Sequence, residues 1–218
     1  MNTKDLSKDY FEFYEKFKNK FESELNHLNI GIIDDFIDNK INIENFYKNY
    51  ITKNQPKTFL VGINPGKNGA GKTGIPFIDY NSLSKIIKNV DKNESEKSSK
   101  FIFEIIEHFG IDKFYKHIHL TNICPLGFYD LKTKRNINYN TLPTHIAQYL
   151  LENFIEEVEI FKPDTIIPIS DIVDWELRLN LLKKGKLNAK IENRLYHPAS
   201  KFAKKNDYIS ILEKYISK

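Results

Sequence analysis

Sulfur chemistry is almost missing from this chain of 218 residues, which carries one cysteine, Cys124, and one methionine. A lone cysteine excludes an intrachain disulfide, and it excludes zinc or iron–sulfur sites built on several cysteines. Apolar runs long enough to span a membrane are also lacking, and Met1-Asn2-Thr3-Lys4-Asp5 has no apolar core of a leader peptide. These absences point to a reducing cytoplasm. Arginine is scarce as well: Arg135, Arg178 and Arg194 are the only ones, so lysine supplies nearly all of the positive charge. A net charge of +4 and a pI near 8.8 lean toward a nucleic-acid partner. An AT-rich genome inflates Lys, Asn and Ile together, however, and charge alone is better explained by that bias.

Twelve Tyr, sixteen Phe and 40% hydrophobic residues exclude a disordered chain and supply one proper core. Tyr10, Tyr14, Phe17, Phe21 and Leu25 recur at near-helical spacing, and two shorter helical stretches follow up to Tyr50. Thr58 to Ile63 is a continuous apolar run ending in Asn64-Pro65-Gly66, so a buried strand enters a turn there. A helix is expected over 83–90, a polar loop over 91–100 and a helix over 101–109. A second strand is expected from His117 to Thr121, ending at Asn122. Thr141 is positioned to cap a helix whose apolar stripe is Ile146, Leu150, Phe154, Val158 and Phe161. Thr165 to Ile169 forms a third strand, a helix starts at Asp171, a fourth strand lies near 189–195, and a helix from Asp207 closes the chain.

Strands alternating with helices imply an α/β fold with a mostly parallel sheet and helices on both faces. The expectation is one domain over 1–218: a three-layer α/β/α sandwich around four strands, with a helical region over 1–55. Ligands of such sheets lie beyond the C-terminal strand ends.

Gly66-Lys67-Asn68-Gly69-Ala70-Gly71-Lys72-Thr73 satisfies the phosphate-loop pattern directly after a strand. That chemistry requires a helix to begin at Lys72-Thr73, with its amides cradling phosphates. Gly74 and Pro76 follow at once and oppose it. The apolar strand suited to a magnesium-binding aspartate is interrupted by Pro168. A phosphate-loop NTPase using Lys72 and Thr73 is therefore the competing reading, not the preferred one.

Taken as a longer unit, Gly62 to Phe77 resembles the first active-site motif of the single-strand-selective monofunctional uracil-DNA glycosylases. Gly62, Asn64, Pro65, Gly66, Gly69, Thr73, Gly74, Pro76 and Phe77 fit without insertion. Asn122-Ile123-Cys124-Pro125-Leu126 is similar to the second motif and His197-Pro198 to the third, in the same order. The resemblance runs from about Phe59 to the C-terminus. The chain departs at Lys67-Asn68 (Pro-Phe in many members), at Ala70 (Met) and at Ala199-Ser200 (Ser-Pro).

The resemblance implies a metal-independent, cofactor-free, monomeric enzyme that flips a damaged base out of DNA and hydrolyses its glycosidic bond. Asn64 would hold the attacking water and His197 would donate to uracil O2, making these the catalytic pair. Phe77 would stack on the base and Asn122 would read its O4 and N3–H edge, with Gly62, Ile63 and Gly66 completing the base site. Each residue also has a plainer reading: Asn64 and Asn122 as strand-end turns, Phe77 as a core aromatic. His108, His117, His119 and His145 read as structural, and Cys124 has no neighbour in sequence that would lower its pKa. Three strand ends each delivering a small polar group to one sheet edge outweigh the plainer readings. Lys132, Lys134 and Arg135 form one basic loop, and Ser200, Lys201, Phe202, Lys204 and Lys205 a second, each suited to DNA phosphates or wedging and each equally a solvated charge run. A third reading is a DNA-binding relative that has lost activity.

Overall fold

The computed structural model describes residues 6–88, 90 and 92–217, with the side chains of Leu6 and Ser7 excepted. Along the chain run α1 (Leu6–His27), β1 (Ile30–Ile33), a 3₁₀ turn (Asp35–Asn39) and α2 (Lys40–Phe46), which is continued by a wider turn over Tyr47–Thr52. Then come β2 (Thr58–Gly62), α3 (Ala70–Thr73), α4 (Tyr80–Ile86), α5 (Lys97–Phe109) and α6 (Ile111–His117). The second half holds β3 (Ile118–Asn122), β4 (Gly127–Asp130), β5 (Asn136–Ile137), α7 (Thr144–Phe161), β6 (Thr165–Pro168), α8 (Asp171–Trp175, extended over Glu176–Leu182), β7 (Lys190–Ile191) and α9 (Lys205–Ile216).

The central sheet has the order β3-β2-β6-β7 and every pairing in it is parallel. Both faces of β2, β3 and β6 are buried. Strands covered on both sides read as continuous apolar runs, and for this reason Thr58–Gly62 and Thr165–Pro168 were legible. The expected stripe of α1 is the buried one: Tyr14, Phe17, Phe21 and Leu25 enter the core, with Tyr10 half-buried. Fully burying a Phe contributes roughly 1.5–3 kcal/mol relative to leaving it in water, so this helix is held by its apolar face.

Several boundaries move for identifiable reasons. α5 begins at Lys97, four residues ahead of expectation, because the Glu96 carboxylate caps it by accepting from Ser99 N at 3.0 Å. Asp79 caps α4 in the same way, shifting that helix to Tyr80. Thr141 does not cap α7; its hydroxyl donates to Asn138 O at 2.8 Å, and Pro143 takes the cap position. His117 ends α6 instead of opening β3. The fourth strand is only Lys190–Ile191, with a single further bridge from Ile169 to Leu195.

A second, antiparallel sheet of order β1-β4-β5 was not expected. Its strands have four, four and two residues, too short to declare a period of two. It pairs the segment after α1 with the segment after the second motif, and so docks the N-terminal region beside the end of β3.

Candidate active site

β2 and β3 run in register, so that Gly62 stands beside Asn122. The pairing continues past the strands, with Ile123 N donating to Gly62 O and Cys124 N to Ile63 O, both at 2.9 Å. A Cβ on Gly62 would lie 2.3 Å from Asn122 Oδ1 and 2.5 Å from Phe77 Cζ. Only glycine lets the Asn122 amide and the Phe77 ring meet over this strand end. Phe77 is half-buried with φ of +60°, a left-handed backbone that disfavours a bulky side chain.

Thr73 and Gly74 explain how that conformation is held. The Thr73 hydroxyl, fully buried, donates to Ile78 O and accepts from Ile75 N at 3.3 Å, closing the loop that carries Phe77. Gly74, at φ +72°, ends α3, and its N–H reaches Ala70 O at 2.8 Å. From the N-terminal region, buried Asn39 donates to Thr73 O at 2.6 Å.

This geometry leaves no phosphate cradle. The helix ends where a phosphate loop's helix must begin, and the amides of Gly69, Gly71, Lys72, Thr73 and Gly74 are already bonded to carbonyls of the same loop. Lys72 is ion-paired with Glu94.

Asn64 is held by backbone on three sides. Its Nδ2 donates to Pro65 O at 3.2 Å and to Ile137 O at 3.4 Å, while its Oδ1 accepts from Tyr139 N at 3.2 Å. These partners fix which way the amide faces, and Oδ1 keeps a second lone pair for a water. His197 follows Leu195, which bridges to Ile169, the residue after β6; Ile169 N in turn donates to Val61 O at 2.8 Å. Asn64, Asn122 and His197 therefore share the C-terminal edge of the sheet. His197 Nδ1 accepts from Ala199 N at 3.2 Å. Burial pushes the imidazole pKa below its usual value of 6.5, with the Glu96 carboxylate opposing. A neutral ring that accepts at Nδ1 carries its proton on Nε2 and donates from there.

Cys124 is fully buried, its thiol donates to Leu126 O at 3.0 Å, and burial pushes its pKa far above the usual thiol range. It is not a nucleophile. Ile63 and Gly66 line the turn that Asn64 interrupts, both partly exposed.

The basic loops are surface features on either side. Asp130 Oδ1 accepts from Lys132 N at 2.9 Å and Thr133 N at 2.6 Å, shaping the hairpin that displays Lys132, Lys134 and Arg135. In the second loop Lys201, Phe202 and Lys204 are exposed, and Ser200 accepts from Phe202 N at 3.2 Å. Lys205 differs from its loop neighbours: it pairs with Glu104 and ties α9 to α5. One exposed aromatic was missed. Tyr196, next to His197 in sequence, packs 5.6 Å from Phe202 with the Arg194 guanidinium 4.6 Å over its ring. A cavity of about 290 Å³ between α1 and α7 touches Asn122 but not Asn64, Phe77 or His197. Its rim of Glu12, Glu152, Glu156 and Glu157 repels a polyanion.

Residues 49–214 match the uracil DNA glycosylase superfamily. The crystal structure of wild-type SMUG2 from Pedobacter heparinus is similar at a TM-score of 0.69 and 31% identity, over 87% of this chain and 86% of that one. Comparison with curated proteins gives no match. With the three motifs meeting at one sheet edge, the chain belongs to the uracil-DNA glycosylase superfamily as a SMUG-like member, a DNA glycosylase acting on uracil.

Proposed function

We propose that the base site is formed by Phe77 and Asn122 where the two close on Gly62, and that Asn64 and His197 carry the chemistry there. The supporting observation is the joint approach of Phe77 and Asn122 to Gly62, on the edge that also bears Asn64 and the neutral His197. The flipped uracil stacks on Phe77, and Asn122 donates to O4 and accepts from N3–H. As the C1′–N1 bond breaks, its electron pair moves onto the base, and His197 Nε2–H stabilises the charge growing on O2. A water held by Asn64 Oδ1 adds to C1′ as the sugar charge collapses, and the proton it loses is taken up by the departing uracil anion, leaving an abasic sugar and neutral uracil. Uracil is a tolerable anion, so this step needs neither a metal nor a covalent nucleophile. Lys132, Lys134, Arg135, Ser200, Lys201, Phe202 and Lys204 hold or wedge the DNA, Lys205 bracing its loop through Glu104. The enzyme works as a monomer in the cytoplasm on uracil and related deaminated or oxidised bases.

The test is base release from single-lesion oligonucleotides in EDTA, with ATP hydrolysis measured separately in magnesium. The expected result is uracil release in EDTA, unaltered by Lys72→Ala, and no ATP turnover. Release only with added metal, or ATP hydrolysis lost in Lys72→Ala, contradicts the reading.

A further inference from the structure

We propose that Lys67 and Lys134, gathered over the ring of Tyr129, form a phosphate subsite for the DNA backbone beside the flipped nucleotide. The proposal rests on the glycosylase reading above and concerns residues other than Asn64 and His197, which carry the chemistry.

The two ammonium groups lie 5.2 Å and 5.4 Å from the same ring centroid. Like charges held around one ring repel, yet neither lysine makes an ion pair among the described residues, whereas Lys72, Lys85 and Lys205 each have a glutamate. The carboxylate closest along the chain, Asp130, is engaged by the amides of Lys132 and Thr133, and those bonds hold its pKa below the usual carboxylate value. A ring face attracts an ammonium without removing its hydrogen-bond donors. The pair is thus oriented and still short of an anion.

The ring is fixed independently. Tyr129 stands opposite Gly31 in the β1–β4 pairing, and a Cβ on Gly31 would lie 2.6 Å from Tyr129 Cζ. Its place next to the chemistry is fixed too. Lys67 follows Asn64 by three residues, and its N–H donates to Asn136 Oδ1 at 3.1 Å. One residue further along the same strand, Ile137 O accepts from Asn64 Nδ2. The segment that carries Lys134 is therefore stitched to the loop that carries Asn64 and Lys67. An anion bridging the two lysines sits beside a nucleotide whose C1′ faces Asn64, and in DNA that anion is a phosphodiester.

The experiment is a thermodynamic cycle on single-stranded oligonucleotides bearing one non-cleavable 2′-fluoro-deoxyuridine. The phosphates 5′ and 3′ of that nucleotide, and one five linkages away, are replaced singly by neutral methylphosphonates. With all phosphates charged, Lys67→Gln and Lys134→Gln should each weaken binding about three- to tenfold, and each should lower the salt slope by about 0.7. At one flanking methylphosphonate, and not at the remote one, the same substitutions should have no further effect. Tyr129→Phe should bind like wild type, and Tyr129→Leu should behave like a lysine variant. Equal weakening at every linkage, or none with charged phosphates, overturns the subsite. Uracil release by wild type on the parent oligonucleotide is run alongside, so that loss of the glycosylase reading registers separately from loss of the phosphate contact.

Discussion

We propose that base choice is decided at Asn122, because the edge it would face differs between uracil and cytosine by a donor and an acceptor. Its side chain is 5% exposed, and Oδ1 is crowded against Gly62. An amide held with NH₂ toward O4 meets cytosine donor to donor, and each buried group left unpaired costs ~1–3 kcal/mol. Asn122→Asp should lose uracil release and gain a slow release of cytosine, slow because cytosine is the poorer anion. Uracil release at the wild-type rate in this variant would show that Asn122 does not read the base. His197 carries the second prediction at this scale. With its folded pKa depressed below 6.5 by burial, folded and unfolded chains both hold it neutral above that value. As pH falls through 6.5 the unfolded chain protonates first, so stability declines until the lower native pKa is reached. A proton on Nδ1 would also confront the Ala199 N–H. The rate of uracil release should therefore be level above pH 6.5, with an acid limb below it; a limb with its midpoint above that value contradicts a depressed pKa.

Among the elements, the loop from α3 to α4 does the most to place the site, and a hydroxyl holds it. Thr73 is fully buried and bonds Ile78 O and Ile75 N. Thr73→Val keeps the shape and leaves those groups unpaired, a cost of about 1–3 kcal/mol in urea unfolding. The loosened Phe77 should raise the apparent Kd for uracil-containing DNA more than it slows the bound-state step. A variant as stable as wild type would place the weight of the loop elsewhere. The same loop shows what pattern reading reaches. Gly74 and Pro76 were enough to argue against a phosphate loop, since both act through backbone conformation that any sequence displays. That Asn39 meets the Thr73 carbonyl across 34 residues, and that Lys72 meets Glu94 across 22, is carried by no local pattern.

For the whole molecule, the parallel sheet was legible because strands buried on both faces read as nearly continuous apolar runs, and β2 and β6 are such strands, each opening on one buried threonine. β3 was legible in spite of His119, whose ring is buried against Phe59 and Phe161 while Nε2 meets Glu157 at 2.7 Å. The β1-β4-β5 sheet was not legible: its first pairing joins distant residues, Ile30 with Asp130 and Ile33 with Gly127, and its strands are too short to show alternation. That sheet matters, because it positions Tyr129 and, through the hairpin, the carbonyl and amide that orient Asn64. Asn64, Asn122, Phe77 and His197 were reached from motif order, and the structure adds what fixes each of them. The central claim is that Asn64 and His197 perform the chemistry at this edge. Single-turnover uracil release by Asn64→Ala and His197→Ala, each shown folded by circular dichroism and each still binding DNA, tests it most directly. The account predicts that each rate falls about 10²–10³-fold. Wild-type rates in both folded variants would contradict it.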